Sequence, residues 1–251
     1  GPAYLIELTD KILSCAEEAS FSIVGSERLS LLVNNALTAN AFSYITTNGT
    51  EFEQKDAISK VYRKFGEIVV RTTQSIQPEN LSQSMDQLSL DVLSSINQNA
   101  ALSFSLLSVE TIRSDAMVGL AQGFIRGFSG EESALLSDFV EEVFSSFKRT
   151  SDVYPDLFTE ASFVTKFALG ITEEIKSKDL ESSDLNTISQ TIITSAPSLS
   201  SNAQLSEIQT AVQNELAIIN LDDFAVSIEG ISATGDAIPE TEKSSLTFVL
   251  V

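Results

Sequence analysis

FEQKDAISKVYRKFGEIV (Phe52 to Val69) and FTEASFVTKFALGITEEI (Phe158 to Ile175) carry one helical pattern in two places. In each, apolar residues recur at spacings of three and four, so that they form a single stripe along a helix. The match extends outward on both sides: LVNNAL (Leu32 to Leu37) aligns with FVEEVF (Phe139 to Phe144), and LSLDVLSS (Leu88 to Ser95) with ISQTIITS (Ile188 to Ser195). Apolar positions are kept while polar ones drift. What repeats is therefore an apolar framework, through Leu32/Phe139, Phe52/Phe158, Val61/Phe167 and Val92/Ile192. The pattern predicts an all-α fold.

The neighbouring segments read the same way. Residues 3–19 place Leu5, Leu8, Ile12, Cys15 and Ala19 on one stripe of an extra N-terminal helix. The first copy begins at Ser26, with Glu27 favourable in the first turn, and Thr46 to Thr50 reads as a turn centred on Asn48-Gly49. The helix from Phe52 ends before Pro78, a third runs through Met85 to Ile96, and a fourth starts at Ser108 as N-cap. Along the fourth, Gly119, Gly123 and Gly127 recur every four residues and predict a groove for a closely packed helix. Ser129-Gly130 is the seam, and helices follow over 131–149, 156–178, 183–195 and 203–220. The expected organisation is two tandem homologous bundles of four to five helices, 1–129 and 130–222, and an extended or strand-prone tail, 223–251. Its last residues, SSLTFVLV (Ser244 to Val251), are β-prone and uncharged.

Composition narrows the function classes. Lys and Arg total 15 against 35 Asp and Glu, a net charge of -20 that repels phosphate backbones and anionic bilayers. Nucleic acid is thus excluded as a partner, and no apolar run is long enough to span a membrane. The chain has no histidine, which removes the commonest general base, the triad chemistries and the commonest metal ligand. The lone Cys15 reads as a small buried hydrophobe and allows no intramolecular disulfide. No phosphate-binding or calcium loop motif occurs.

The adjacent acids Glu17-Glu18, Glu131-Glu132, Glu141-Glu142, Glu173-Glu174 and Asp222-Asp223 point about 100° apart on a helix, so they do not face one cleft and read as solvated faces. Lys60 and Lys166, matched between the copies, read as edge residues. No catalytic, cofactor-binding or metal-binding residue is expected, nor an enzyme. Asn48-Gly49-Thr50 and Asn80-Leu81-Ser82 are glycosylation sequons in predicted connections, and Asn48 and Asn80 are the candidate modified residues.

The cadence of short Ser-rich amphipathic helices, as in EASFVTKFALGI (Glu160 to Ile171), PENLSQSMDQLSLDVLSSI (Pro78 to Ile96) and SLSSNAQLSEIQTAVQNEL (Ser198 to Leu216), resembles the globular repeat modules of spider silk proteins, the spidroins. The likeness is to the aciniform and tubuliform types or a related acidic one, and it covers most of residues 20–220. It implies a secreted, extracellular structural protein that self-associates with further copies of the module, with no cofactor and no small-molecule substrate. Storage would be soluble, and a change of pH, ions or shear would drive assembly into fibre or glue. Two other readings fit an acidic helical chain: a carrier of lipid or other apolar molecules, suggested by the phenylalanines of the second copy, and a protein-interaction scaffold.

Overall fold

Thr50 closes a capping box at the head of the first described helix: its hydroxyl accepts from the Glu53 backbone N–H, and the Glu53 carboxylate accepts from the Thr50 N–H at 2.7 Å. Gly49, at φ 100°, makes the turn before it. The computed structural model describes residues 7, 11, 49–98, 106–130, 132–178 and 180–216. Within them run α1 (Glu51–Ile76), α2 (Leu81–Gln98), α3 (Val109–Gly127), α4 (Ser133–Val153), α5 (Ala161–Lys176), α6 (Ser182–Ser195) and α7 (205–216). Short 3-10 turns at Pro78–Asn80 and Ala196–Leu199 start at or next to a proline, where the missing N–H is harmless. Ser108 caps α3 as its sequence predicts, accepting from the Thr111 N–H. The fold is all-helical among the described residues, and no helix there is long and apolar enough to cross a membrane.

Of the expected helix over 3–19, only Glu7 and Lys11 are described; both are helical and form an ion pair of 2.8 Å. The rest of that helix, Cys15, the expected helix from Ser26, Asn48, and the tail 223–251 with its strand-prone end lie outside the described residues.

Alternate helices share a layer. α1, α3 and α5 pack side by side; α2, α4 and α6 pack in the same order over them. Contacting residues give the directions. Gly119, Gly123 and Gly127 of α3 meet Ser59, Arg63 and Glu67 of α1 in ascending order, so these helices are parallel. Asp115–Lys166 and Arg126–Glu174 make α5 parallel to α3. The expected seam at Ser129-Gly130 falls in the connection between α3 and α4, and helices from either side of it belong to one compact unit, Gly1–Gln213. A second unit, Asn214–Val251, holds the last residues of α7.

The glycine groove is filled by backbone. A Cβ on Gly119 would lie 2.5 Å from the Ser59 carbonyl oxygen, and Cβ atoms on Gly123 and Gly127 would lie closer still to those of Arg63 and Glu67. From the other side, Gly66 of α1 admits the Leu120 carbonyl at 2.5 Å from where its Cβ would be. Contact this close between backbones brings Cα–H groups onto carbonyl oxygens.

Burial repeats where the sequence repeats. Ala57/Phe163, Ile58/Val164, Val61/Phe167, Tyr62/Ala168, Phe65/Ile171 and Val69/Ile175 are buried in both copies, as are Leu88/Ile188, Val92/Ile192 and Leu93/Ile193. Even a polar pair is kept: Ser89 and Ser189 are buried, and each donates to the carbonyl four residues back, that of Met85 or Leu185. Phe52 corrects the expected framework. It is 78% exposed, whereas its counterpart Phe158 is 2% exposed. The cause is local: α1 already begins at Glu51, leaving Phe52 in the first turn, while Phe158 sits in the turn before α5 and stacks on Phe163 with centroids 4.7 Å apart.

Candidate functional site

The polar side chains that gather in this fold do so between helices. On α4, Arg149 donates to both carboxylate oxygens of Asp86 on α2, at 2.7 and 3.1 Å, and to Ser82 and Glu142 at 2.8 and 2.6 Å. Held mainly by its hydrogen bond to Asp86, the guanidinium is pushed above its ordinary value. Arg126 of α3 grips Glu174 of α5 in a bidentate pair at 2.6 and 3.1 Å. Lys178 lies beside that pair and donates to the Phe128 carbonyl, and burial pushes its ammonium below the usual lysine range. Lys166 of α5 pairs with Asp115 of α3, whose second carboxylate oxygen is buried without a partner.

These contacts correct the reading of the adjacent acids as solvated faces. Glu174 is 5% exposed and held by Arg126, while Glu173 stays outside and accepts from Gln122. Glu142 accepts from Arg149 and Ser82, while Glu141 is exposed. The 100° step along a helix is what turns one member of each couple inward. The matched lysines differ in use: Lys60 pairs with Asp56 one turn away, Lys166 with Asp115 across helices. Sequence reasoning missed Arg126, Arg149 and Asp115, because a charge at the edge of a stripe gives no sign of whether a partner helix will bring a counter-charge.

The arrangement ties neighbouring helices to one another. Each carboxylate that faces inward is held by an arginine or lysine. Tyr62, buried on α1, has its phenol pushed up by desolvation, away from any role as a base near neutral pH. Among the described residues no three acids or other metal-ligating side chains gather into a metal site. The phenylalanines of the second copy contact one another: Phe167 meets Phe147, Phe144 and Phe158 edge-on at 4.6, 5.7 and 5.6 Å.

One cleft, of about 640 Å³, opens where α1, α3 and α5 begin. Lys55, Arg113 and Lys166 line it together with Glu110, Asp156 and Glu160. A smaller one of about 160 Å³ adjoins it through Arg113, Asp156 and Leu157. Arg113 donates to the Asn97 side-chain carbonyl at 2.9 Å. Of the sequons, Asn80 is half-buried at the end of a 3-10 turn, its amide donating to Gln77 at 3.0 Å, and its Ser82 is engaged by Glu142 and Arg149. Thr50 of the other sequon is the N-cap of α1. Comparison with protein-family models, curated proteins and solved structures finds no match to this chain.

Proposed function

We propose that the chain is a structural helical module of a secreted, silk-like fibrous or glue protein, made to be concatenated and to associate with further copies of itself. The observation that carries this reading is the buried framework that recurs from the first copy to the second, down to the back-bonded Ser89 and Ser189, while the matched Lys60 and Lys166 are put to different use, one paired within its own helix and the other across helices. Packing has been kept and surface chemistry has not, the pattern expected where the repeated unit itself is what is used. The repeat boundary lies at Ser129-Gly130, giving the homologous stretches 1–129 and 130–222. Asn48 and Asn80 are the positions at which a secreted form would carry glycans.

The mechanism follows from charge. A net -20 keeps modules apart at neutral pH and low salt. Added salt shortens the Debye length to about 8 Å at physiological strength, and acid neutralises carboxylates, so both weaken the repulsion. Light scattering from about pH 7.5 to 5 and from low to high salt tests this: particle size is expected to grow along both axes. A monomer unchanged throughout refutes the reading. The carrier alternative draws no support from the phenylalanines that suggested it, since their rings pack on one another.

A further inference from the structure

We propose that the face by which the two halves of this chain meet is also the face by which two chains meet: α1 to α3 of one copy pair with α4 to α6 of another, by exchange of halves. The inference rests on the reading of the chain as a self-associating module and assigns the surface. Across the seam the halves meet as two protein partners do, with an apolar centre and a charged border. Phe124 of α3 and Phe147 of α4 pack in the centre with ring centroids 5.9 Å apart, and Val118 of α3 lies over Gly170 of α5. Around them Asp86 pairs with Arg149, Asp115 with Lys166 and Arg126 with Glu174, and each pair joins a helix of the first half to one of the second. Inside the first half the contact between α1 and α3 is of another kind, backbone against backbone at the glycines.

The occupant of this face is already seated on it, and the duplication shows that the fit is selective. Where the second copy has Glu174 the first has Ile68, and Asp86 of the first copy has Asn186 as its counterpart. Another first half would offer Ile68 to Arg126, and another second half would offer Asn186 to Arg149. The charges therefore match only when a first half meets a second half. Nothing in that match depends on which chain the second half belongs to. Halves exchanged between two chains remake the contacts of the seam and need only a new course for the connection at Ser129-Gly130. The anchors beside that connection are seam contacts as well: Phe128 stacks on Phe139 at 4.1 Å, and Lys178 donates to the Phe128 carbonyl. Two terms oppose exchange. One is repulsion between chains of net charge -20, which salt reduces by shortening the screening length to about 8 Å. The other is the high effective concentration of the partner in the same chain, which crowding of chains offsets.

Sedimentation velocity after refolding tests this, because the seam has to open before halves can be exchanged. The full chain is unfolded in denaturant and refolded near pH 7.5 in physiological salt, at low and at high protein concentration. The wild type is expected to give monomers when refolded dilute and dimers when refolded concentrated. Asp86→Arg and Arg149→Asp each set like charges across the seam of a single chain. Refolded together, they should form a dimer of one of each, with a dissociation constant at least about tenfold below that of either variant refolded alone. In that dimer the reversed partners meet across one seam, and the natural pair of Asp86 with Arg149 meets across the other. Native mass spectrometry reads the composition. Melting curves should show the mixture more stable than either variant by itself, and a variant too weak to fold alone should fold in the mixture. Dimers in which the two variants sort at random place the contact elsewhere and overturn the assignment. A wild type that stays monomeric at high concentration but grows in light scattering on acidification or added salt refutes the exchange alone; a monomer in both experiments refutes both proposals.

Discussion

Replacing Gly123 by Ala adds one methyl group at the tightest place between α1 and α3. In an open helix the change stabilises by about 1 kcal/mol, because alanine has less backbone freedom to lose. Here the new Cβ would overlap the Arg63 carbonyl oxygen and lie 2.8 Å from both the Arg63 carbonyl carbon and the Glu67 nitrogen. All three are backbone atoms, so no rotamer change relieves them. The helices must part by about an ångström, which loosens contacts along Ile112, Ala116, Leu120 and Phe124, all 0% exposed. Overpacking of this kind costs about 3 kcal/mol, for a net loss of about 2 kcal/mol after the propensity gain. In a unit of this size that lowers the melting temperature by about 4–8 °C. Gly170→Ala is the matched control: its Cβ would meet the Val118 Cγ1 at 2.6 Å, the end of a side chain that can move. Thermal unfolding followed by circular dichroism should separate the two, with Gly170→Ala within about 1 kcal/mol of wild type. Equal shifts, or a stabilised Gly123→Ala, would refute the argument that backbone contact holds this seam.

Two further outcomes follow from the polar contacts. Arg126→Met strands the Glu174 carboxylate in the α3–α5 contact; with the arginine side chain 42% exposed, the loss is discounted to about 2 kcal/mol, and adding Glu174→Leu should recover most of it, as denaturant titration would show. Glu53 is held below its ordinary value of 4.5, first by the Thr50 backbone N–H and then by the Thr50 hydroxyl, so its capping contribution is present above pH 4.5 and fades as pH falls through the lower folded value. Glu53→Gln should therefore flatten the fall in melting temperature below pH 4.5, and an unchanged slope would remove the capping box from the acid response.

The helix period made α1 to α6 legible, and their punctuation was legible too: Ser108 as a cap, Pro78 as a stop, Gly49 in the turn. The close approach at Gly119, Gly123 and Gly127 could also be foreseen, because three small residues at turn spacing leave one flat strip. Which helix would fill that strip could not. A stripe tells a helix which face to bury but carries nothing about the neighbour, so the alternation of layers, with α3 reaching both α1 and α5, lay beyond it. The same limit explains Asp115 and Glu174, whose inward turn depends on a cation from another helix. Phe52 failed for a different reason: its residue type fits a core, but at the first turn of α1 no described ring stacks on it as Phe163 does on Phe158.

The glycine strip also makes the placement of α3 along α1 discrete. Glycines four apart present the same flat surface again after about 6 Å of axial travel, so the pair has stable positions one turn apart and obstructed ones between them. Slipping one notch would set Gly119 over Arg63 and carry Gly127 beyond Glu67. What chooses among the notches is where the glycines end: the slip that sets Gly119 over Arg63 also brings Asp115 over Ser59, where a Cβ would meet the carbonyl oxygen that Gly119 now admits. A ratchet of three equal teeth is thus locked by the larger residue next in line on the same helix.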